Sequence, residues 1–181
     1  MTSEAQILKC CREIVAAEGL SALNMRHVAE KCGVALGSLY HYFPSKDDMI
    51  TATVESVWQD IFRMDEKFPA GLSFPAYVQR LFECARTGAG AYPNFSMAHS
   101  MGFASAAKDR GRRTMERCFS EIRAGMLRAL QGDKKVRPDA FSPGFTQEAF
   151  VGFVFSAFLS SFVQEQEDCR TLTEIIRRAL Y

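Results

Sequence analysis

Residues 23–50 read LNMRHVAEKCGVALGSLYHYFPSKDDMI. Apolar side chains recur at helical spacing on both sides of Gly33, and glycine is typical of helix ends because it adopts left-handed backbone angles at little cost. Asn24 can cap the helix before this turn, and Pro44 ends the helix after it. Two short helices joined by a tight glycine turn predict a helix-turn-helix, whose second helix can enter the major groove of DNA.

The helical period continues through the rest of the chain, and no segment alternates as a half-buried strand does. Gly19 ends a first helix that begins near residue 3, and Ser45 begins a fourth helix through a variant of the capping box. The remaining helices are predicted near 73–88, 95–107, 111–131, 145–166 and 170–180. The sequence therefore predicts an all-α fold.

The predicted domain organisation has two parts. Residues 1–48 form a three-helix head, and a connector helix at about 46–66 leads out of it. The segment KFPAGLS, residues 67–73, supplies a proline, a glycine and a new cap, which are typical of a boundary. A C-terminal helical bundle, residues 67–181, follows.

Composition narrows the class of protein. Apolar residues make up 48% and charged residues 24% of the 181 positions, as in globular proteins that dissolve in water. The net charge of +1 gives no global reason to expect a nucleic acid or a membrane surface as partner. The most apolar run, 149–163, is too short to span a bilayer, and the N-terminus lacks a signal-peptide pattern. We expect a cytoplasmic protein with no membrane partner.

Motifs for catalysis and for metal binding are missing. The histidines His27, His41 and His99 form neither Glu-x-x-His nor His-x-x-x-His pairs, and no P-loop, Gly-x-Ser-x-Gly or Gly-x-Gly-x-x-Gly is present. We predict no enzyme activity, no metal and no cofactor. The six cysteines form no CxxC pair and are expected to be buried, inert thiols, with a redox-sensing thiol as the alternative: Cys10, Cys11, Cys32, Cys84, Cys118 and Cys169.

The segment 23–50 resembles the N-terminal helix-turn-helix of the TetR family of bacterial transcriptional regulators. The resemblance includes the amide cap, the Val-Ala pair, Cys-Gly-Val, the run Gly-Ser-Leu-Tyr-x-x-Phe and the Ser-Lys pair. It covers about the first 65 residues, and the later helices agree with the family in order and length. It implies an N-terminal DNA-binding domain and a C-terminal domain that binds effectors and forms dimers.

The resemblance also implies which residues bind DNA. Asn24 and Arg26 fall where the family contacts backbone phosphates. The base-facing part of the recognition helix would be Leu36, Gly37, Ser38 and His41, and the phosphate clamps would be Tyr40, Tyr42 and Lys46. Leu36 stands where Lys, Arg or Pro is frequent, and it could contact a thymine methyl group. Ala35 replaces the usual Ser or Thr cap.

An apolar set of residues in the bundle predicts a cavity for a small-molecule effector, because aromatic rings and methionines can line an irregular pocket. Packing in an ordinary core is the alternative for each of these residues. Arg86, Tyr92 and His99 are the candidate polar anchors. The candidate apolar contacts are Phe82, Phe95, Phe103, Met115, Phe119 and Ile122.

The helix predicted at 145–166 carries five phenylalanines after Phe145 and a stripe of small residues at every fourth position. So much aromatic surface favours a two-fold partner that covers it, and in the resembled family the last two helices form the dimer interface. A fully internal core helix is the alternative. The predicted interface residues are Gly152, Phe153, Ser156, Ser160, Ile175 and Arg178.

Together these patterns predict a homodimeric transcriptional repressor that binds a palindromic operator in double-stranded DNA and is released by a small, largely apolar effector. Two alternatives stay open. One is a constitutive helical DNA-binding or interaction protein without an effector. The other is a cysteine-based redox-sensing regulator.

Overall fold

A computed structural model describes residues 2–62, 71–95 and 109–181, without the side chains of 109–112 and 114. Over these ranges the fold is all-α, as predicted, with a short 3₁₀ turn at Leu20–Ala22. The helices are α1 (Glu4–Glu18), α2 (Met25–Cys32), α3 (Leu36–Tyr42), α4 (Lys46–Phe62), α5 (Phe74–Gly90), α6 (Asp109–Gly132), α7 (Gln147–Val163) and α8 (Arg170–Leu180). The helix predicted near 95–107 lies, apart from its first residue, outside the described residues.

Local capping signals set the ends of the first helices. Ser3 and Gln6 form a reciprocal capping box at the start of α1, and Gly19, with φ 86°, ends that helix. The Asn24 side chain accepts the His27 N–H at 2.9 Å, which confirms the predicted cap of α2. Gly33, with φ 67°, ends α2 in the left-handed conformation.

The three helices close over a small apolar core, and helix α4 extends from it. Ser45 donates a hydrogen bond to the Asp48 carboxylate at 2.7 Å and accepts the Asp48 N–H at 3.1 Å, so the predicted capping variant is confirmed. The core includes Ile7, Cys11, Ile14, Leu23, Val28, Leu39, Phe43, Met49 and Ile50.

The chain divides into two compact units whose boundaries fall inside helices. The first unit comprises Met1–Ile61 and Thr87–Cys118, and the second comprises Phe62–Arg86 and Phe119–Tyr181. This division is not the one predicted from the sequence at residues 48 and 67, and those functional domain boundaries stay a prediction.

In the first unit, residues that follow α5 contact the head directly. The Asn94 side-chain amide donates hydrogen bonds of 3.0 Å to the carbonyls of Ala16 and Ala17, at the C-terminal end of α1. Those carbonyls have no partner within a regular helix, so Asn94 satisfies them. Helix α5 passes close to α4: a Cβ placed on Gly88 would lie 2.4 Å from the Ile61 carbonyl oxygen, so only glycine fits there.

In the second unit, aromatic side chains of α7 pack into the core. Phe158 is fully buried and its ring lies 6.0 Å from that of Phe82. Asp133 joins two distant parts of the unit, since its carboxylate accepts the Phe74 N–H at 2.7 Å and the Tyr181 hydroxyl. Among the described helices, none is long and apolar enough to cross a bilayer.

Candidate nucleic-acid interface

Helix α3 is held from one side and exposed on the other. Leu39 is fully buried and Phe43 is 3% exposed, so these two side chains fix α3 against the head. Leu36 and Tyr40, four residues apart on this helix, are 37% and 48% exposed and present their side chains to solvent. The other exposed predicted contact residues of this helix are Gly37, Ser38 and His41.

The N-terminal end of α3 is open. Ala35 is its N-cap residue and makes no side-chain hydrogen bond to the helix. Gly37 has no atom within 4 Å of the position that a Cβ would occupy. Without a side chain at Gly37, the backbone between Leu36 and Ser38 can approach a groove edge closely, which a longer side chain would prevent.

The start of α2 presents two of the predicted phosphate contacts. Asn24 and Arg26 are both exposed. Asn24 is also the helix cap, and its amide nitrogen donates to the Ala22 carbonyl at 3.4 Å, so part of its hydrogen-bonding capacity is used inside the head. The sequence predicted no role for His27. Its Nε2 atom lies 3.7 Å from the Glu18 carboxylate.

Tyr42 is half-buried, and its hydroxyl donates a hydrogen bond to the Thr2 carbonyl at 2.5 Å. This bond uses the proton that a phosphate contact would need. The resemblance placed Tyr42 at the DNA backbone, and the structure gives its hydroxyl a partner within the chain. Because Tyr42 and Thr2 are 40 positions apart, no local pattern could have predicted this contact.

Charges on the head are mixed. Lys46 is exposed in the first turn of α4, next to the exposed Asp47. Exposed Arg26 and Lys31 are likewise accompanied by exposed Glu30. Local placement of each cation therefore matters more for phosphate binding than the net charge of the head does.

The predicted effector residues are divided between the two units. In the first unit, Tyr92, Phe95 and Met115 are buried, and the Tyr92 hydroxyl donates to the Asp60 carboxylate at 2.5 Å. Burial and this hydrogen bond both raise the pKa of Tyr92. His99 and Phe103 lie outside the described residues.

In the second unit, Phe82 and Ile122 are buried, and the half-buried Phe119 contacts Phe155 with ring centres 5.3 Å apart. Arg86 is exposed and donates to the Glu167 carbonyl at 2.8 Å. A shallow groove of about 180 Å³ includes Phe82 and Arg86 in its lining.

The predicted dimer residues lie on exposed parts of α7 and α8. Phe153 and Ile175 are 58% and 47% exposed, and between them lies a groove of about 560 Å³ whose lining includes Ser160. Ser156 and Arg178 are exposed, and Gly152 is partly exposed. These side chains form an apolar strip with a polar margin, which we call the α7–α8 face.

Residues 7–53 match the sequence model described as "Bacterial regulatory proteins, tetR family". The match includes the cap, the glycine turn and the exposed helix described above. In this N-terminal segment the chain matches the TetR family.

A curated relative is the HTH-type transcriptional repressor KstR2 of Rhodococcus jostii, which is 31% identical over 77 residues. The matched segment covers 42% of this chain and 38% of that repressor. The chain thus spans well under half the length of the curated relatives that it matches. Those relatives are named as transcriptional regulators or repressors.

Solved structures extend the likeness to the whole TetR fold. A TetR transcriptional regulator from Rhodococcus sp. RHA1 is 25% identical, with a TM-score of 0.58, and the match covers 97% of this chain and 91% of that one. The multidrug binding protein EbrR, in complex with imidazole, is 18% identical, with a TM-score of 0.62 over 98% of this chain and 94% of that one. The EbrR likeness concerns the fold alone.

Proposed function

We propose that this chain is a DNA-binding transcriptional repressor, that it acts in the cytoplasm as a homodimer, and that a small, largely apolar effector releases it from a palindromic operator. The exposed face of α3 is the observation that carries the proposal. Leu36 and Tyr40 remain exposed, whereas Leu39 on the same helix is fully buried. A short helix anchored in this way can enter a major groove without rearranging its own core.

Contacts to DNA divide into two kinds. Leu36, Gly37, Ser38 and His41 face the bases, where Leu36 contacts a thymine methyl group and Ser38 donates or accepts a hydrogen bond. Arg26, Tyr40 and Lys46 contact phosphates and set the register of the helix on the duplex. Asn24 supports this surface as the cap of α2 and contacts phosphate from its exposed side.

The α7–α8 face supports the dimer. Apolar surface is exposed on α7 and α8 at Phe153, Val163 and Ile175. A second copy of the same face would bury this surface. Two heads joined in this way read two half-sites about one helical turn apart, roughly 34 Å along the duplex. This requirement is the physical reason for a palindromic operator.

Hydrogen bonds within the first unit support a route from effector to head. Asn94 is bonded to the end of α1, and Tyr92 is bonded to Asp60 of α4. An effector that contacts Tyr92 or Phe95 would shift α1 and α4, the helices that hold α2 and α3. Such a ligand releases the operator only if it binds the DNA-free conformation more tightly than the DNA-bound one.

Selection of bound duplexes from a random pool tests the DNA-binding proposal. We expect a palindrome of two half-sites about 10 base pairs apart centre to centre. Recovery of no enriched sequence, or of a single half-site bound by a monomer, would contradict it. The double variant Leu36→Ala/Ser38→Ala, at two exposed positions, should bind the pool without enriching that palindrome.

A thermal-shift screen of small apolar compounds tests the effector proposal separately. A compound that raises the melting temperature should also weaken retardation of the selected duplex. The variant Asn94→Ala should bind that compound with unchanged affinity and release DNA less completely. If no compound that stabilises the protein changes operator affinity, the chain is a constitutive DNA-binding protein.

A further inference from the structure

Three cysteines lie in the head, and two of them are placed to react with one another. Cys10 lies on α1 and Cys32 is the last residue of α2, two helices that pack together. Their side chains are hydrogen-bonded, and both residues are half-buried, so small solutes can reach them. Cys11 instead faces the core, fully buried and hydrogen-bonded to Thr53.

Cys32 is held in its protonated form. Burial, together with the hydrogen bond to Cys10, raises the pKa of Cys32 to about 12. Cys32 therefore stays a thiol at neutral pH and is the donor of the hydrogen bond, and the Cys10 sulfur is the acceptor. The Cys10 sulfur is then the one that attacks an electrophile first, because the thiolate is the reactive form.

We propose that Cys10 and Cys32 are a dithiol–disulfide pair that hydroperoxides oxidise, and that this oxidation weakens operator binding. In the first step the Cys10 thiolate attacks one peroxide oxygen, the O–O bond breaks, and hydroxide leaves to give a sulfenic acid. In the second step the Cys32 sulfur displaces that hydroxyl, its proton leaves with it as water, and the S–S bond forms. Both cysteines are oxidised and the peroxide is reduced to water or alcohol.

The position of Cys32 explains how the Cys10–Cys32 disulfide would affect DNA binding. A disulfide holds its sulfur atoms at about 2.0 Å, well inside any hydrogen-bond separation, so oxidation draws the end of α2 toward α1. Cys32 directly precedes Gly33, and the next residue, Val34, donates to the Ala29 carbonyl at 2.9 Å. The covalent link from Cys32 to Gly33 and the hydrogen bond of Val34 set the direction in which α3 leaves the turn. Moving Cys32 therefore tilts the exposed face of α3 away from its groove.

The weakening of operator binding rests on the proposed function, whereas the oxidation of Cys10 and Cys32 to a disulfide does not. The test treats the reduced full-length protein with hydrogen peroxide and measures the intact mass, the cross-linked peptide after proteolysis, and retardation of the duplex selected by reduced protein. We expect loss of two hydrogen atoms, a peptide joining Cys10 to Cys32, and operator affinity about tenfold weaker, all reversed by dithiothreitol.

Variants separate the possible outcomes. Cys10→Ser and Cys32→Ser should each keep operator affinity in peroxide, whereas Cys169→Ala, at a buried cysteine of the second unit, should respond like the parent. Oxidation that yields no cross-linked Cys10–Cys32 peptide would contradict the proposed disulfide. The parent protein alone gives this result, so it stands even if a variant fails to fold. A linked pair with unchanged operator affinity would overturn the regulation. Absence of operator binding by reduced protein would overturn the proposed function and leave the peptide result as it stands.

Discussion

The hydroxyl of Tyr42 donates a hydrogen bond of 2.5 Å to the main-chain carbonyl of Thr2. Tyr42 is the last residue of α3, so this bond ties the exposed helix to the beginning of the chain. Loss of the Tyr42 hydroxyl should therefore change the stability of the head, whether or not Tyr42 also contacts DNA. Its neighbour Tyr40, which is 48% exposed, provides a matched comparison on the same helix.

Tyr42→Phe should lower the free energy of unfolding by about 1 kcal/mol, because one hydrogen bond is lost and the Thr2 carbonyl keeps no protein partner in its place. Tyr40→Phe should leave that free energy within about 0.5 kcal/mol of the parent and weaken operator binding instead. Urea denaturation measures the first effect and duplex retardation the second. Equal stability of the two variants would mean that the Thr2 bond contributes nothing.

Lys46→Gln should weaken binding to all duplexes alike and reduce the slope of log affinity against log salt concentration by about one, since one phosphate contact is removed. Lys134→Gln, at an exposed lysine of the second unit, is the control and should leave the slope unchanged. A salt titration of operator affinity measures both. If the two variants give the same slope as the parent, Lys46 is an ordinary surface charge.

Gly37→Ala should separate stability from function. No atom lies within 4 Å of the added methyl group in the free protein, and alanine favours a helix over glycine by about 0.5–1 kcal/mol. On DNA the methyl group separates the backbone from the base edges, and we expect a loss of at least about 1 kcal/mol of binding free energy.

Gly132→Ala is the control for this test, because Gly132 also has open space around it and ends α6 in the second unit. It should leave operator affinity unchanged. Thermal denaturation and duplex retardation of both variants provide the comparison. An operator affinity of Gly37→Ala equal to that of the parent would remove Gly37 from the contact surface.

Phe153→Glu should convert the proposed dimer to monomer, because loss of an aromatic side chain at the centre of an interface costs about 2–4 kcal/mol and the buried charge adds to that loss. Phe145→Glu is the matched control: Phe145 is also an exposed phenylalanine of the second unit, 43% exposed, but lies outside the α7–α8 face. Sedimentation velocity at several concentrations measures the result. A monomeric Phe145→Glu with a dimeric Phe153→Glu would place the interface elsewhere.

Acid stability should depend on Asp133. Burial alone would raise the pKa of Asp133, but hydrogen bonds from the Tyr181 hydroxyl and from the N–H groups of Phe74 and Lys135 outweigh it and lower the pKa. A carboxylate with a lowered pKa in the folded state contributes stability at pH values above its unfolded pKa, about 3.9, and this contribution is lost as the pH falls below that value.

Asp133→Asn should therefore be less stable than the parent by about 1 kcal/mol at pH 7, and the difference should shrink as the pH falls from about 4 to 2. Asp139→Asn, at a side chain that is 84% exposed, should follow the parent at every pH. Denaturant unfolding across this pH range gives the comparison. A difference that stays constant with pH would show that the charge of Asp133 is irrelevant.

The ends of the early helices were predictable because their signals are local. Asn24 caps an N–H three residues away, Gly33 adopts its own left-handed angle, and Ser45 bonds Asp48 within the first turn of α4. Each signal depends on nearest neighbours only. For this reason helix α2 was predicted with both of its observed ends.

Contacts between segments that are distant along the chain could not be predicted from the sequence. The helix predicted near 73–88 continues to Gly90, and the absence of a side chain at Gly88 allows the close approach of Ile61. The bonds from Tyr42 to Thr2 and from Asn94 to α1 join residues 40 and 77–78 positions apart. Such pairs follow from the packing of the helices, and no periodicity encodes them.

The mixed charge of the head has a consequence for how an operator would be located. Exposed Glu30 and Asp47 accompany exposed Arg26, Lys31 and Lys46, so the two acids cancel part of the attraction between the head and an arbitrary duplex. The proposed regulator would then spend less time in one-dimensional diffusion along the chromosome than a strongly basic one, and more of its encounters with the operator would come from solution. Fewer copies would be sequestered on unrelated DNA, and a smaller cellular pool would keep a promoter occupied.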